Sequence, residues 1–298
     1  FLNLGGRTVL EHVLSRALKI GFPVILAVPT EHKWTFKTLL ASKFPEVIIF
    51  AGDADSPLHR TGAAAATLFP NSKYIIRVTC DDTILDPETA RELVLACNQV
   101  DATYGSTPMI VKGAGVEVVK AEHWLEVGNR IKVKTEMSRY FILQGIPESK
   151  IVKLYPSKDV CRAHRLELDY PEDATLLGII FGVLGKDATT EQVCSYLDVN
   201  SHLLEINRLP ELSVYTCIRN GSKFIAKTIN SVFNSGHLVK EYIFVDNAST
   251  DGTLAELGTY VSLDGVKIIF NHENLGLASS ANQALQECRG KWVMRVDA

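Results

Sequence analysis

The sequence predicts an α/β chain made of two Rossmann-like nucleotide-binding domains in series, and three observations carry that reading. Apolar segments of strand length alternate with segments of helix-period spacing along most of the 298 residues, the pattern of a mostly parallel sheet covered by helices. Two β-rich runs end in aspartate, YIIRVTCDD at 74–82 and YIFVD at 242–246, and the carboxyl ends of strands are where open α/β sheets bind ligands. The alternation loosens after Gly185 and restarts at Leu212, which divides the chain into 1–187, a connection at 188–210 and 211–298, with the boundary near Leu209.

The elements follow in order. Leu10, Val13, Leu14, Ala17 and Leu18 form one apolar helical face, and Pro23 to Val28 is the strand after it. Helix then strand repeats as Trp34–Ser42 with Val47–Phe50, Leu58–Phe69 with Tyr74–Val78, and Pro87–Gln99 with Asp101–Tyr104. Pro87 suits a first helical turn, where its missing N–H would be unpaired anyway. Past Gly105 the pattern predicts a strand at Val116–Val119, helices near Ala121–Glu126 and Glu136–Leu143, strands at Ile151–Tyr155 and Arg165–Asp169, and a closing helix Pro171–Leu184. In the connection, the spacing of Val193, Tyr196 and Leu197 predicts one short helix. The second domain reads as strand Leu212–Thr216, helix Lys223–Phe233, strand Tyr242–Val245, helix Thr253–Tyr260, strand Val266–Phe270, helix Leu277–Glu287 and strand Trp292–Val296.

Composition narrows the function classes. A hydrophobic content of 46% fills a substantial core, and a net charge of −3 without long like-charge runs gives no footprint for nucleic acid or an anionic membrane. The six cysteines form no C-x-x-C pair and read as reduced core thiols of a cytoplasmic protein. No apolar run has membrane-spanning length, so no transmembrane segment is expected.

In the first domain, a carboxylate pair at Asp81 and Asp82 follows a strand, and a second strand-end carboxylate arrives at Asp169 in LELDYPEDATLL. Such oxygens suit magnesium, which shares one or two carboxylates with substrate phosphates. Asp86 reads as the N-cap before Pro87. GGRTVLEHVL, GDADSPLHR (52–60), RVTCDDTILDPE, GAGVEVV (113–119) and LDYPEDA together resemble the cytidylyltransferases that make CMP-activated acidic sugars and the related spore-coat polysaccharide proteins. That resemblance implies CTP and a sugar acid as substrates, with Asp81 and Asp169 holding magnesium or manganese. It makes Arg77 and Arg60 candidates for phosphate or sugar-carboxylate contacts; His59, beside Arg60, is a candidate substrate contact by its position. The family's opening phosphate loop would precede Phe1, and Cys80, Asp82 and Thr83 depart from its usual residues around Asp81. The fragment is therefore expected not to turn over CTP as it stands.

In the second domain, EYIFVDNASTDGT (241–253), NLGLASSANQAL (274–285) and KWVMRVDA resemble the start of a family 2 glycosyltransferase of GT-A fold. The resemblance implies a nucleotide-sugar donor and a glycan acceptor. It places Thr216, Arg219 and Asn220 in the nucleotide-receiving loop, Asp246 on the base, Asp251 in the following turn, and Asn274, Gly276 and Asn282 around the sugar-nucleotide pocket. Asp297 would be the first metal carboxylate of an Asp-x-Asp motif cut after Ala298. Asp251-Gly252 also reads simply as a tight turn.

The remaining residues have plainer readings. Apart from His59, the histidines, His237 among them, lack metal-ligand spacing and read as packing or surface groups. Ala63 to Ala66 reads as close helix packing, and Trp34, Trp124 and Trp292 as core or interface anchors. Taken together, the sequence describes a bifunctional sugar-activating and sugar-transferring protein of surface glycan synthesis, a homodimer being left open. The alternative is a glycosyltransferase whose first domain is a non-catalytic sensor or scaffold.

Overall fold

A computed structural model describes residues 2–131, 138–156, 158–234, 239–261, 263 and 265–298; Glu136 and His237 lie outside them. The chain forms two compact units, Phe1–Asn207 and Arg208–Ala298.

The first unit opens on a small antiparallel hairpin, β1 (Asn3–Leu4) and β2 (Arg7–Thr8). Helix α1 (Val9–Lys19) starts with a capping box: Thr8 N–H donates to Glu11 Oε2 at 2.8 Å and Glu11 N–H donates to Thr8 Oγ1 at 3.3 Å. Strand β3 (Ile25–Pro29), helix α2 (Lys33–Leu40) and strand β4 (Ile48–Gly52) follow, and β3 pairs with β4 in parallel. Helix α3 (Pro57–Leu68) has Ser56 as its cap and Pro57 in its first turn, and α4 (Pro87–Gln99) repeats the device with Asp86, whose Oδ2 accepts from Thr89 N–H at 3.0 Å. Between them runs β5 (Tyr74–Arg77), and after them come β6 (Tyr104–Ser106), β7 (Glu117–Lys120), α5 (Ala121–Arg130), α6 (Ser138–Leu143) and β8 (Ile151–Lys153).

The first unit's main sheet is mixed where a mostly parallel one was expected. Its order is β5-β7-β6-β8, with β7 antiparallel to both neighbours. The reason is the connection: β6 reaches β7 without an intervening helix, and a direct return brings a strand back antiparallel. The expected strand Arg165–Asp169 is instead an irregular segment, bent at Glu167, with one bridge from Arg165 to Lys112. Leu166 N–H donates to the Lys112 carbonyl at 3.0 Å. Gly113, at φ +94, permits this crossing, since a Cβ there would lie 2.5 Å from the Leu166 carbonyl oxygen.

Helix α7 (Pro171–Leu184) buries Leu176, Leu177, Ile180 and Phe181, each worth roughly 1.5–3 kcal/mol relative to exposure. Helix α8 (Thr190–Val199) adds Val193, Cys194 and Leu197 to the same cluster, and Thr190 Oγ1 donates to the Ile84 carbonyl at 2.8 Å. Part of the segment read as a connection is thus core of the first unit. Of the three tryptophans, Trp124 is buried, its indole N–H donating to the Leu58 carbonyl at 2.9 Å. Trp34 and Trp292 are 70% and 65% exposed, which removes the core role expected as one alternative for them. Trp34 lies on the outward side of α2 beneath Lys37, and Trp292 lies on an edge strand. All six cysteines are free thiols.

The second unit is a parallel sheet in the order β11-β10-β9-β12, made of β9 (Leu212–Ile218), β10 (Val239–Asn247), β11 (Val266–Asn271) and β12 (Trp292–Arg295). Alternation along β10 serves two cores. Tyr242 and Phe244 pack with Ile225 and Ile229 of α9 (Ile225–Phe233) and Leu257 of α10 (Thr253–Gly258), whereas Ile243 and Val245 pack against Ala284 of α11 (Gly276–Glu287). Buried Glu241 ties the far end together, accepting from Ser213 Oγ and from Arg289 Nε at 2.7 Å.

Candidate functional sites

Past β5 the chain runs through Thr79 and Cys80 before Asp81, and the carboxylate of Asp81 meets Glu167 and Asp169 from the segment preceding α7. Each residue offers one oxygen, and the three oxygens lie within 4.8 Å of one another. Leu168 N–H donates to the Asp81 carbonyl at 3.3 Å, which stitches the two segments together. Glu167 and Asp169 stand two residues apart in the irregular segment ahead of α7, and their carboxylates reach the same place.

The electrostatics of this cluster are those of crowded anions. Burial, helped by the charges of Glu167 and Asp81, raises the Asp169 carboxyl above its ordinary value, with Arg165 opposing. Burial also pushes Asp82 up to about 7, with Asp81 and Glu167 adding to the rise while the Thr79 hydroxyl, donating at 2.6 Å, resists it. Asp81 Oδ1 is buried with no protein partner. An orphaned carboxylate oxygen beside two further carboxylates is a hard, all-oxygen donor set, which fits a magnesium or manganese ion and not a soft metal. Among the described residues this is the single grouping of three or more acidic, histidine or cysteine ligands that could hold a cation.

The other first-domain candidates are engaged elsewhere. Arg77 donates to Glu117 Oε2 at 2.7 Å. Arg60 donates from Nε to the Ala27 carbonyl at 3.2 Å and from Nη1 to the Asp53 and Ala54 carbonyls, bracing the ends of β3 and β4. His59 Nε2 lies 2.8 Å from both the Gly128 and Ile131 carbonyls and holds α3 to the end of α5.

In the second unit the loops after β9, β10 and β11 meet at the carboxyl edge of the sheet. The chain leaves β9 toward β10 and β11 on one side and places β12 on the other, which creates the strand-order reversal where such sheets bind ligands. Asp246 is 1% exposed; its Oδ2 accepts from Ser249 N–H at 3.1 Å, and its Oδ1 is buried with no protein partner. Asn220 adopts φ +55, donates its N–H to Ser249 Oγ at 2.9 Å, and accepts from Thr250 N–H at 2.7 Å. Asp251 accepts from Thr253 N–H at 3.0 Å and Ser222 N–H at 3.2 Å, and its bonds from Thr253 and Ser222 hold its carboxyl down near 2.

Thr216 is fully buried, donating to the Val296 carbonyl at 2.7 Å and accepting from the Tyr242 hydroxyl at 2.8 Å, so it fastens strands together. Asn274 Oδ1 accepts from Asn247 Nδ2 at 2.6 Å and from Gly276 N–H at 3.1 Å, and Gly276 takes φ +79, a conformation open to glycine. Arg219 and Asn282 are exposed. Asp297 is exposed and pairs with Arg295 at 2.6 Å.

Sequence reasoning missed Glu167, although the Glu-x-Asp spacing in LELDY signalled it. It also missed Asn247, whose Oδ1 accepts from Leu275 N–H at 2.9 Å, and the reciprocal Asn271–Gln283 amide pair at 2.9 and 3.0 Å. Those amides become visible only when β10, β11 and α11 are assembled.

Comparison with known proteins agrees with this division. Residues 1–143 match the cytidylyltransferase family model, and residues 213–298 match the family model of glycosyl transferase family 2. The chain is 36% identical over 93 residues to TuaG of Bacillus subtilis (strain 168), named as a teichuronic acid biosynthesis glycosyltransferase; the match covers 31% of this chain and 37% of TuaG. It is 38% identical over 90 residues to an uncharacterized glycosyltransferase of Haemophilus influenzae, covering 30% of this chain and 28% of that protein. The chain thus spans about a third of the length of the curated relatives it matches. A cytidylyltransferase from Leptospira borgpetersenii shares the first unit's fold, with a TM-score of 0.57 at 21% identity over 70% of this chain and 89% of that one. No helix among the described residues is long and apolar enough to cross a membrane.

Proposed function

We propose that this chain, which joins a cytidylyltransferase region to a glycosyl transferase family 2 region, activates and transfers sugars for surface glycan synthesis in the cytoplasm. In the first reaction a sugar-acid hydroxyl oxygen attacks the α-phosphorus of CTP; the new O–P bond forms as the bond to the β-phosphate oxygen breaks, pyrophosphate leaves and the hydroxyl proton passes to water. The observation that carries this reading is the meeting of the Asp81, Glu167 and Asp169 carboxylates, with Asp81 Oδ1 buried and unpartnered. A magnesium ion held there would neutralise phosphate charge and orient the triphosphate. The chain itself supplies the fixed carboxylates, so the gain comes from positioning and charge placed before the reaction. In the second region, the unpartnered Asp246 Oδ1 supports its assignment to an N–H of a nucleotide base, and the Asn220–Thr250 and Asp251–Ser222 bonds keep the adjoining loops in place. There Asp297 pairs with Arg295.

One observation favours a second reading, in which the first unit binds a sugar nucleotide without turning it over. Both arginines offered as phosphate contacts, Arg77 and Arg60, already serve Glu117 and backbone carbonyls. Calorimetric titration of CTP with and without magnesium, paired with pyrophosphate release on a panel of sugar acids by a chain restored at its N-terminus with the phosphate loop expected ahead of Phe1, separates the readings. Metal-dependent CTP binding with release lost in Asp81→Asn supports catalysis, binding without release supports the sensor, and CTP binding indifferent to metal sinks both.

A further inference from the structure

Asn207, the last residue of the first unit, lies far along the chain from Asp81 and outside both matched regions. Its side chain nevertheless reaches the segment that carries Glu167 and Asp169. Asn207 Nδ2 donates to the Arg165 carbonyl at 2.7 Å and to Asp173 Oδ1 at 2.9 Å, and its own carbonyl accepts from Arg165 Nη2 at 3.2 Å. Asp173 is completely buried and is the hub of this arrangement. Its Oδ2 accepts from Asp169 N–H at 3.0 Å, Tyr170 N–H at 2.8 Å and Arg165 Nη1 at 2.7 Å, and its Oδ1 pairs with Arg165 Nη2. Arg165 Nη1 in turn lies 3.6 Å from Asp169 Oδ2. Asn207 is 7% exposed, so these bonds are shielded from water and competition from solvent is small.

We propose that Asn207 is a positioning residue for the carboxylate cluster: by holding Asp173 and Arg165 it sets where Glu167 and Asp169 present their oxygens to a divalent cation. The chain from Arg165 to Tyr170 is irregular, with bends at Glu167 and Tyr170 and one bridge from Arg165 to Lys112, so regular sheet bonding does not fix it. Its geometry is set by the Asp173 hub, and Asn207 supplies the donor that Asp173 Oδ1 shares with Arg165. Outer partners of this kind typically govern metal affinity by about ten- to a hundredfold.

The inference rests on the carboxylates being a metal site, and the test separates the two. Mn2+ alone is titrated into the full chain and followed by electron paramagnetic resonance, with thermal unfolding measured in parallel. Wild type should bind Mn2+ in a manner lost in Asp81→Asn. Asn207→Ala should weaken that binding by about tenfold, and so should Asn207→Asp, which keeps the shape but removes the donor and adds charge beside Asp173. Leu203→Ala loosens the same segment through apolar packing against the core while leaving these hydrogen bonds alone, and should lower the melting temperature with Mn2+ affinity intact. Wild-type Mn2+ binding that survives Asp81→Asn, or its absence, overturns the metal site and this inference with it. Unchanged affinity in folded Asn207→Ala or Asn207→Asp, or an equal loss in Leu203→Ala, overturns the positioning role alone.

Discussion

Arg77 sits directly opposite Glu117 in the antiparallel register of β5 and β7, and its guanidinium donates to that carboxylate at 2.7 Å. Glu117 is largely buried and also receives the Tyr104 hydroxyl and Arg139 Nε, the latter at 3.1 Å, so one carboxylate collects three donors. Burial of Tyr104, helped by the Glu117 charge and hydrogen bond, pushes its hydroxyl well above its ordinary value. This cross-strand pairing gives Arg77 a partner within the sheet.

Arg77→Met is accordingly expected to lower stability by about 1–2 kcal/mol, the scale for losing a hydrogen bond to a charged group with other donors still present. Urea denaturation measures the loss, and Mn2+ affinity should stay at the wild-type value. A normal urea midpoint together with lost CTP affinity would return Arg77 to the substrate.

Glu167→Gln is expected to weaken Mn2+ binding as severely as Asp169→Asn, because each carboxylate contributes one oxygen to the same cluster. The double mutant should cost clearly less than the sum, since residues sharing one ligand are coupled. Additive losses in a double-mutant cycle would assign the two carboxylates to separate ions.

Asp82 offers a pH test with a definite sign. Its folded carboxyl titrates at about 7, above the ordinary 3.8, so between those values the folded chain holds more protons than the unfolded one and stability falls as pH rises. At about 1.4 kcal/mol per pH unit the ceiling is about 4 kcal/mol, which partial hydration reduces to about 2. Asp82→Asn should therefore be about 2 kcal/mol more stable than wild type at pH 8 without divalent metal, and equal to it at pH 4. Chemical denaturation at the two pH values checks both ends.

Asn220 couples an unusual backbone to a tether, and two substitutions separate these. Asn220→Gly keeps the left-handed conformation but loses the acceptor for Thr250, so amide exchange at 249–250 should rise with a stability loss below about 1 kcal/mol. Asn220→Ala adds the left-handed penalty of about 1–2 kcal/mol for a residue with a Cβ. Equal stability of the two variants would show that the loop relaxes out of that conformation.

What the sequence determined by itself were features written in neighbouring residues. Asp86-Pro87 and Tyr170-Pro171 mark helix starts, the apolar run ahead of Asp246 marks a strand, and the alternation restarting at Leu212 marks a second α/β unit; each depends on caps, fixed φ or periodicity acting within a few residues. The Asp81 and Asp246 positions were legible for the same reason. Tertiary structure decided which distant groups meet. It brought Glu167 to Asp81, paired Arg77 with Glu117, turned β7 antiparallel, drew Val193 and Leu197 into the first core, and left Trp34 and Trp292 outside. Local propensity cannot choose among these outcomes, because a side chain's partner is set by how strands return and helices pack, and that choice is made by the burial and hydrogen bonding of the assembled unit.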